Sequence, residues 1–300
     1  MSKSELIVFG TSSQQPTRFR NHGAYLLRSR GKGLLFDPGE GTQRQFIFAN
    51  TPPTAVTHIL ISHFHGDHCL GAGSMLMRLN LDKVPHTVHC YFPASGQKHF
   101  TYLRKACIYH EHITIKEHPI SQEGVFLQDE DFTMSAYNLD HGVPTLGYRI
   151  EETSKIKFHK DKLDMFQVKG PLVKKLEQEK ELTIQGKKIH LHDVSWRQPG
   201  KVFAYILDTK YCDNTLKLAE NADLVLAEST YTSERQELAK RYLHMTAKDA
   251  ALMAKKAAAK KLVLTHFSAR YRDTKLFEKE ARQYFPNTYA ANDLDRYSFD

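Results

Sequence analysis

Apolar residues gather along the chain in short runs. Residues 5–9, 24–28, 34–37, 58–62, 87–92, 132–137, 145–150, 202–207, 224–227 and 262–265 read as β-strands. Several of them, including HILIS, VFAYIL, DLVLAE and KLVLTH, are apolar without alternation, which suits strands covered on both faces. Helical periodicity falls between and after them. The clearest case is 244–261, where Ala247, Ala250, Ala251, Ala254 and Ala258 form a small-residue stripe fitted for close packing on a sheet. Thr246 is suited to cap its N-terminus and Asp249 to complement it, while Lys255, Lys256, Lys260 and Lys261 favour the C-terminal end. Weaker helical patterns cover 70–80 and 274–285. The alternation predicts a layered α/β domain with helices outside.

One segment breaks the pattern. Residues 154–192 hold ten lysines against five acidic residues, few strand signals beyond 182–189, and a Gly170-Pro171 turn. The segment reads as a basic, arm-like insertion in a single domain spanning 1–300. A solvated loop with incidental lysines would carry the same charge.

Composition narrows the function classes. Hydrophobic content of 41% and charged content of 25% exclude a disordered or collagen-like chain. No apolar run approaches the ~18–20 residues of a membrane helix, and the first ten residues lack the apolar core of a signal peptide. The four cysteines form no C-x-x-C pair, so a reducing compartment is expected and the location reads as cytoplasmic, with no membrane partner. The net charge is 42 − 34 = +8, which permits a polyanionic partner without requiring one.

The densest chemistry follows the strand at 58–62. His63, His65, Asp67 and His68 place four potential metal ligands within six residues, in the pattern H-x-H-x-D-H. In extended chain, side chains at i and i+2 share a face, so His63 and His65 can converge on one ion. The turn at Gly66 can bring Asp67 and His68 toward a second position. Imidazole and carboxylate donors without thiolates favour Zn²⁺, with Mn²⁺ or Fe next. One loop cannot close two sites, so other strand ends must contribute. His141, Asp208 and His266 each stand where an apolar strand stops. A carboxylate such as Asp208 can bridge two cations.

These features resemble the metallo-β-lactamase superfamily and, within it, the ribonuclease Z family of tRNA 3′-processing endonucleases. Matching pieces run through nearly the whole chain: 9–13, 16–21, 36–45, Leu139-Asp140-His141, Gly147-Tyr148, Gly170-Pro171-Leu172, Asp208-Thr209, 227–230, His244-Met245-Thr246 and 264–271. The 39–45 and 266–271 runs are the most specific. The resemblance implies a four-layer αββα sandwich of two mixed sheets. It implies two Zn²⁺ per chain, one held by His63, His65 and His141, the other by Asp67, His68 and His266, with Asp208 bridging. It implies Asp67 as acceptor of the attacking water's proton, and His244 with Glu228 as a proton-delivery pair. Precursor tRNA would be the substrate, losing its 3′ trailer to leave a 3′-hydroxyl, and a homodimer would be the assembly. Arg18 and Arg20 match a loop near the RNA 3′ end, and Gly170, Pro171, Lys174 and Lys175 match an arm that grips tRNA. The chain departs from the family at Leu207, where glycine is usual, and at Ala227, where histidine is frequent. A small-substrate phosphodiesterase or esterase of the superfamily would share fold and metals but would need no basic insertion.

Overall fold

The computed structural model describes residues 4–299. The chain divides into two compact units, one from the described residues up to Glu151 with those from Lys201 onward, the other Glu152–Gly200.

The larger unit contains two seven-stranded sheets. The first comprises β1 (Glu5–Gly10), β2 (Ala24–Ser29), β3 (Lys32–Phe36), β4 (His58–Leu60), β5 (Val88–Pro93) and β6 (Ile115–Ile120), with a strand from the chain end on its far edge. The second begins with β7 (Gly124–Gln128), β8 (Phe132–Asp140) and β9 (Pro144–Glu152). The smaller unit supplies β10 (Lys155–Phe158), β11 (Glu181–Ile184), β12 (Lys187–His190) and β13 (Ser195–Gln198). The second sheet then resumes with β14 (Val202–Ile206), β15 (Leu224–Glu228), β16 (Leu262–Thr265) and β17 (Thr288–Ala290), and β18 (Arg296–Ser298) pairs with β1. Strands β3 to β6 run parallel, as do β14 to β17. Both sheets are therefore mixed, as expected.

Packing explains the layers. Tyr25, Phe36, Tyr148, Phe203 and Tyr205 fill the space between the sheets, with Phe36 and Tyr205 stacked at 4.8 Å. Each such fully buried side chain contributes about 1.5–3 kcal/mol over leaving it in water. The outer face of the first sheet is covered by the helix Gly71–Leu81 through Ala72, Met75, Leu76 and Leu79. The outer face of the second is covered by Ala247–Lys256, whose Ala247, Ala250, Ala251 and Ala254 are buried. Parallel strands end on the same rim, and both sheets deliver polar loops there.

Differences from the sequence expectations have local causes. The helix expected at 244–261 starts at Ala247 because Thr246 accepts from Asp249 N and Asp249 returns a bond to Thr246 N, a full capping box, and it stops at Lys256, with Ala258 just beyond at φ 53°. His244 and Met245 are thereby left outside the helix. Strands β6 and β7 lack the long apolar runs that mark the central strands, and β6 contains Pro119. Both lie at sheet edges, where proline is tolerated. The single strand expected at 182–189 is a hairpin, β11–β12, because Gln185 and Gly186 both take positive φ.

The smaller unit has its own core of Val168, Leu176, Leu182, Ile189 and Val194. Two hairpin-like pairs, β10–β13 and β11–β12, accompany the helices Lys160–Met165, Pro171–Glu179 and Leu191–Val194.

Candidate metal centre

Every ligand position expected from the sequence comes to one rim. His63 and His65 follow β4, Asp67 and His68 sit in the short helix Gly66–Cys69, His141 begins the turn after β8, Asp208 lies just past β14, and His266 just past β16. His63, His65 and His141 form one cluster, and Asp67, His68 and His266 another. Asp208 lies between them, its Oδ2 3.2 Å from the Nε2 atoms of both His68 and His266 and 3.7 Å from His141 Nε2.

Hydrogen bonding decides which nitrogen of each ring faces inward. His68 Nδ1 donates to Asp37 Oδ2 at 2.7 Å. Ser62 Oγ donates to the same carboxylate and so accepts from His63 Nδ1 at 2.9 Å. Thr230 Oγ donates to Glu228 and accepts from His266 Nδ1 at 3.0 Å. His141 Nδ1 lies 3.3 Å from the Leu243 carbonyl. Each bond uses Nδ1–H and leaves an Nε2 lone pair pointing into the centre. His65, the exposed member, presents Nδ1 instead, 3.0 Å from His63 Nε2 and 3.3 Å from His141 Nε2. His68 and His266 bring their Nε2 atoms to 3.3 Å. A tetrahedral ion with Zn–N of ~2.0–2.1 Å spaces its nitrogens roughly 3.3 Å apart, so the donors fit. Asp208 Oδ1 is buried without a hydrogen-bond partner, an acceptor that a bound cation would satisfy.

Electrostatics point the same way. Burial opposes charge on His68, but Asp208, Asp67 and Asp37 outweigh it and hold its pKa well above the ordinary value. Burial also opposes charge on Asp208, yet His266, His68 and His141 hold its carboxyl well below the usual range. Asp67 is lowered too, against burial, by His68 and His266. His63 and His141 are pushed down, chiefly by burial. Carboxylates that favour a proton among these rings favour a metal cation in the same place.

His244 and Glu228 meet beside this cluster. His244 Nδ1 lies 2.8 Å from Glu228 Oε1, and its ring sits 4.9 Å from His141 and 5.5 Å from His266. Glu228 is fully buried, and also accepts from Thr209 N, Thr230 Oγ and Met245 N. Burial disfavours charge on His244, but Glu228 outweighs it and pushes the pKa up to about 9. The two departures are accommodated: Leu207 is buried in the inter-sheet core, and Ala227 packs beneath the outer helix.

The remaining candidates lie elsewhere. Arg18 is exposed on its loop. Arg20, on the loop matched to the RNA 3′ end, is turned inward and donates to the carbonyls of Tyr271 at 2.8 Å and Ser268 at 3.1 Å. It braces the loop that follows His266. Gly170, Pro171, Lys174 and Lys175 are exposed in the smaller unit, and Lys175 lies 3.9 Å from Glu179.

Two residues went unassigned in the sequence. Asp37 has no exposure and accepts from Ser62 N, Ser62 Oγ, His68 Nδ1 and Tyr205 Oη. Its signal was the one that singled out Asp208, an acid at the end of an apolar strand. Thr230 had no such signal.

Comparison with known proteins agrees with the geometry. The profile of the metallo-β-lactamase superfamily matches residues 17–146, and that of a β-lactamase superfamily domain matches 190–267. A ribonuclease Z of Protochlamydia amoebophila is 56% identical over 299 residues, covering 100% of this chain and 98% of the relative. A ribonuclease Z of Chlamydia caviae is 54% identical with the same coverage. The short form of human tRNase Z superposes with a TM-score of 0.73 over 99% of both chains at 23% identity, a likeness of fold. The chain belongs to the ribonuclease Z family of the metallo-β-lactamase superfamily.

Proposed function

We propose that this protein is a metal-dependent endoribonuclease that removes the 3′ trailer from precursor tRNA. The observation that carries the reading is the convergence of seven donors on one rim, with inward Nε2 lone pairs and with Asp208, whose buried Oδ1 has no hydrogen-bond partner, between the two clusters.

His63, His65 and His141 would hold one Zn²⁺, and Asp67, His68 and His266 a second, with Asp208 shared; Mn²⁺ suits the same donors. Such a pair supplies charge neutralisation at the phosphate and a water acidified toward neutral pH. Asp67, 9% exposed at the side chain, accepts the proton of the attacking water. His244, protonated and held by Glu228, delivers a proton to the departing O3′. The P–O3′ bond breaks, leaving a 3′-hydroxyl on the tRNA and a 5′-phosphate on the trailer. The lysines of 154–192, with Lys174 and Lys175 exposed, make the smaller unit a tRNA-gripping arm, and Arg18 reaches the RNA end. A homodimer belongs to the same reading, supported by exposed Ile47, Phe48 and Leu81 on two helices that pack together. Among the described residues no helix is long and apolar enough to cross a membrane, and a tRNA substrate supports a cytoplasmic location.

The test is cleavage of a labelled tRNA precursor with and without chelator, with product ends mapped and metal content measured. Cleavage is expected only with metal, ending in a 3′-hydroxyl, and Asp208→Ala is expected to abolish it. An uncut precursor under metal-replete conditions would overturn the assignment.

A further inference from the structure

We propose that Trp196 is a stacking platform for an unpaired nucleobase of the RNA substrate, with Lys155 on the same face for a flanking phosphate. The inference rests on reading the chain as a precursor-tRNA nuclease. Trp196 is the single tryptophan of the sequence and lies on β13, 45% exposed. An indole joins a large apolar ring to a polar N–H, which is why tryptophan is enriched at interfaces. It is not a spare core residue, because the core of the smaller unit closes without it. Among the described residues no ring or cation lies against the indole, and its N–H donates to no acceptor.

The neighbours have the right chemistry. Strands β10 and β13 pair antiparallel, placing Lys157 opposite Trp196 and Lys155 opposite Gln198. Residues opposite one another, and two apart along a strand, share a face. One face of this ribbon thus presents an indole, the Lys155 ammonium and an amide. Every base has a π-face, so an aromatic plane binds nucleobases with little regard to identity, while flanking cations track the backbone. An indole alone would suit a protein partner equally. The ten lysines against five acids in 154–192 favour a polyanion.

Because Trp196 is the only tryptophan, its emission reports on this site alone. The full-length, metal-loaded protein is titrated with a mature-length tRNA transcript, and steady-state kinetics are measured on the precursor. Saturable quenching is expected. Trp196→Ala is expected to raise KM for the precursor roughly 10-fold, with hydrolysis of bis(p-nitrophenyl) phosphate and the melting temperature unchanged, and Trp196→Phe to recover most of the loss. Unchanged emission together with unchanged KM in Trp196→Ala would overturn the proposal. So would an emission shift that follows protein concentration without RNA, which would mean a second copy covers the indole. If the wild type leaves the precursor uncut, the nuclease reading falls, and the titration alone decides: quenching by tRNA upholds stacking and its absence removes it.

Discussion

Asp37, with no exposure and four donors around it, decides which nitrogen of His68 carries a proton. Through Ser62 Oγ it settles His63 as well. Asp37→Asn keeps the shape but offers an amide hydrogen where an acceptor is needed. It is expected to weaken metal affinity by about 10–100-fold, read by competition with a chromogenic chelator, while excess metal restores much of the activity. His244 is expected to behave oppositely. His244→Ala should leave metal content intact and lower kcat for the precursor by about 100-fold or more, because the ring supplies a proton rather than a ligand. Metal analysis beside single-turnover cleavage separates the two outcomes. The seven donors that gather at the rim were legible in the sequence, since four lie within six residues and three more end apolar runs. Thr230 was not, because a threonine between Glu228 and His266 acquires meaning only when β15 and β16 lie side by side.

Elements were legible where burial on both faces wrote them as continuous apolar runs, as in β4, β14, β15 and β16. Edge strands and the short pieces of the smaller unit escaped because one side meets water and their composition is mixed. The edge of the first sheet also carries a titratable stack that patterning does not reveal. His58 on β4, His89 on β5 and His118 on β6 line up, with ring centroids 5.3 Å and 5.2 Å apart. Burial, helped by the charges of His89 and Lys32, pushes His58 down to about 3. The unfolded chain takes a proton near pH 6.5 that the folded chain refuses. The stability from neutral His58 is therefore complete above that pH and lost as pH falls toward 3, by about 1.4 kcal/mol per unit. From pH 7 to pH 5 this amounts to about 2 kcal/mol. Denaturant titrations at the two pH values should show that loss in the wild type and a correspondingly smaller one in His58→Gln.

At the scale of the molecule, Glu151 on β9 lies opposite Val202 on β14. The larger unit therefore holds the two ends of Glu152–Gly200 within the span of a hairpin turn. Replacing 152–201 by a two-residue Asn-Gly turn is expected to preserve the fold, metal content and hydrolysis of bis(p-nitrophenyl) phosphate. Precursor cleavage should be lost, and with it the steep salt dependence of binding that a lysine-rich surface confers. Circular dichroism, metal analysis and both assays on one preparation check this. The donors around the candidate ions come from loops after strands of both sheets: His63, His65, Asp67 and His68 from one, His141, Asp208 and His266 from the other. An ion seated there rivets the two halves of the sandwich along their open seam. A cell starved of that metal would then forfeit the polypeptide as well as the reaction, because a seam without its rivets lies open to proteases and the supply of enzyme would follow the supply of metal.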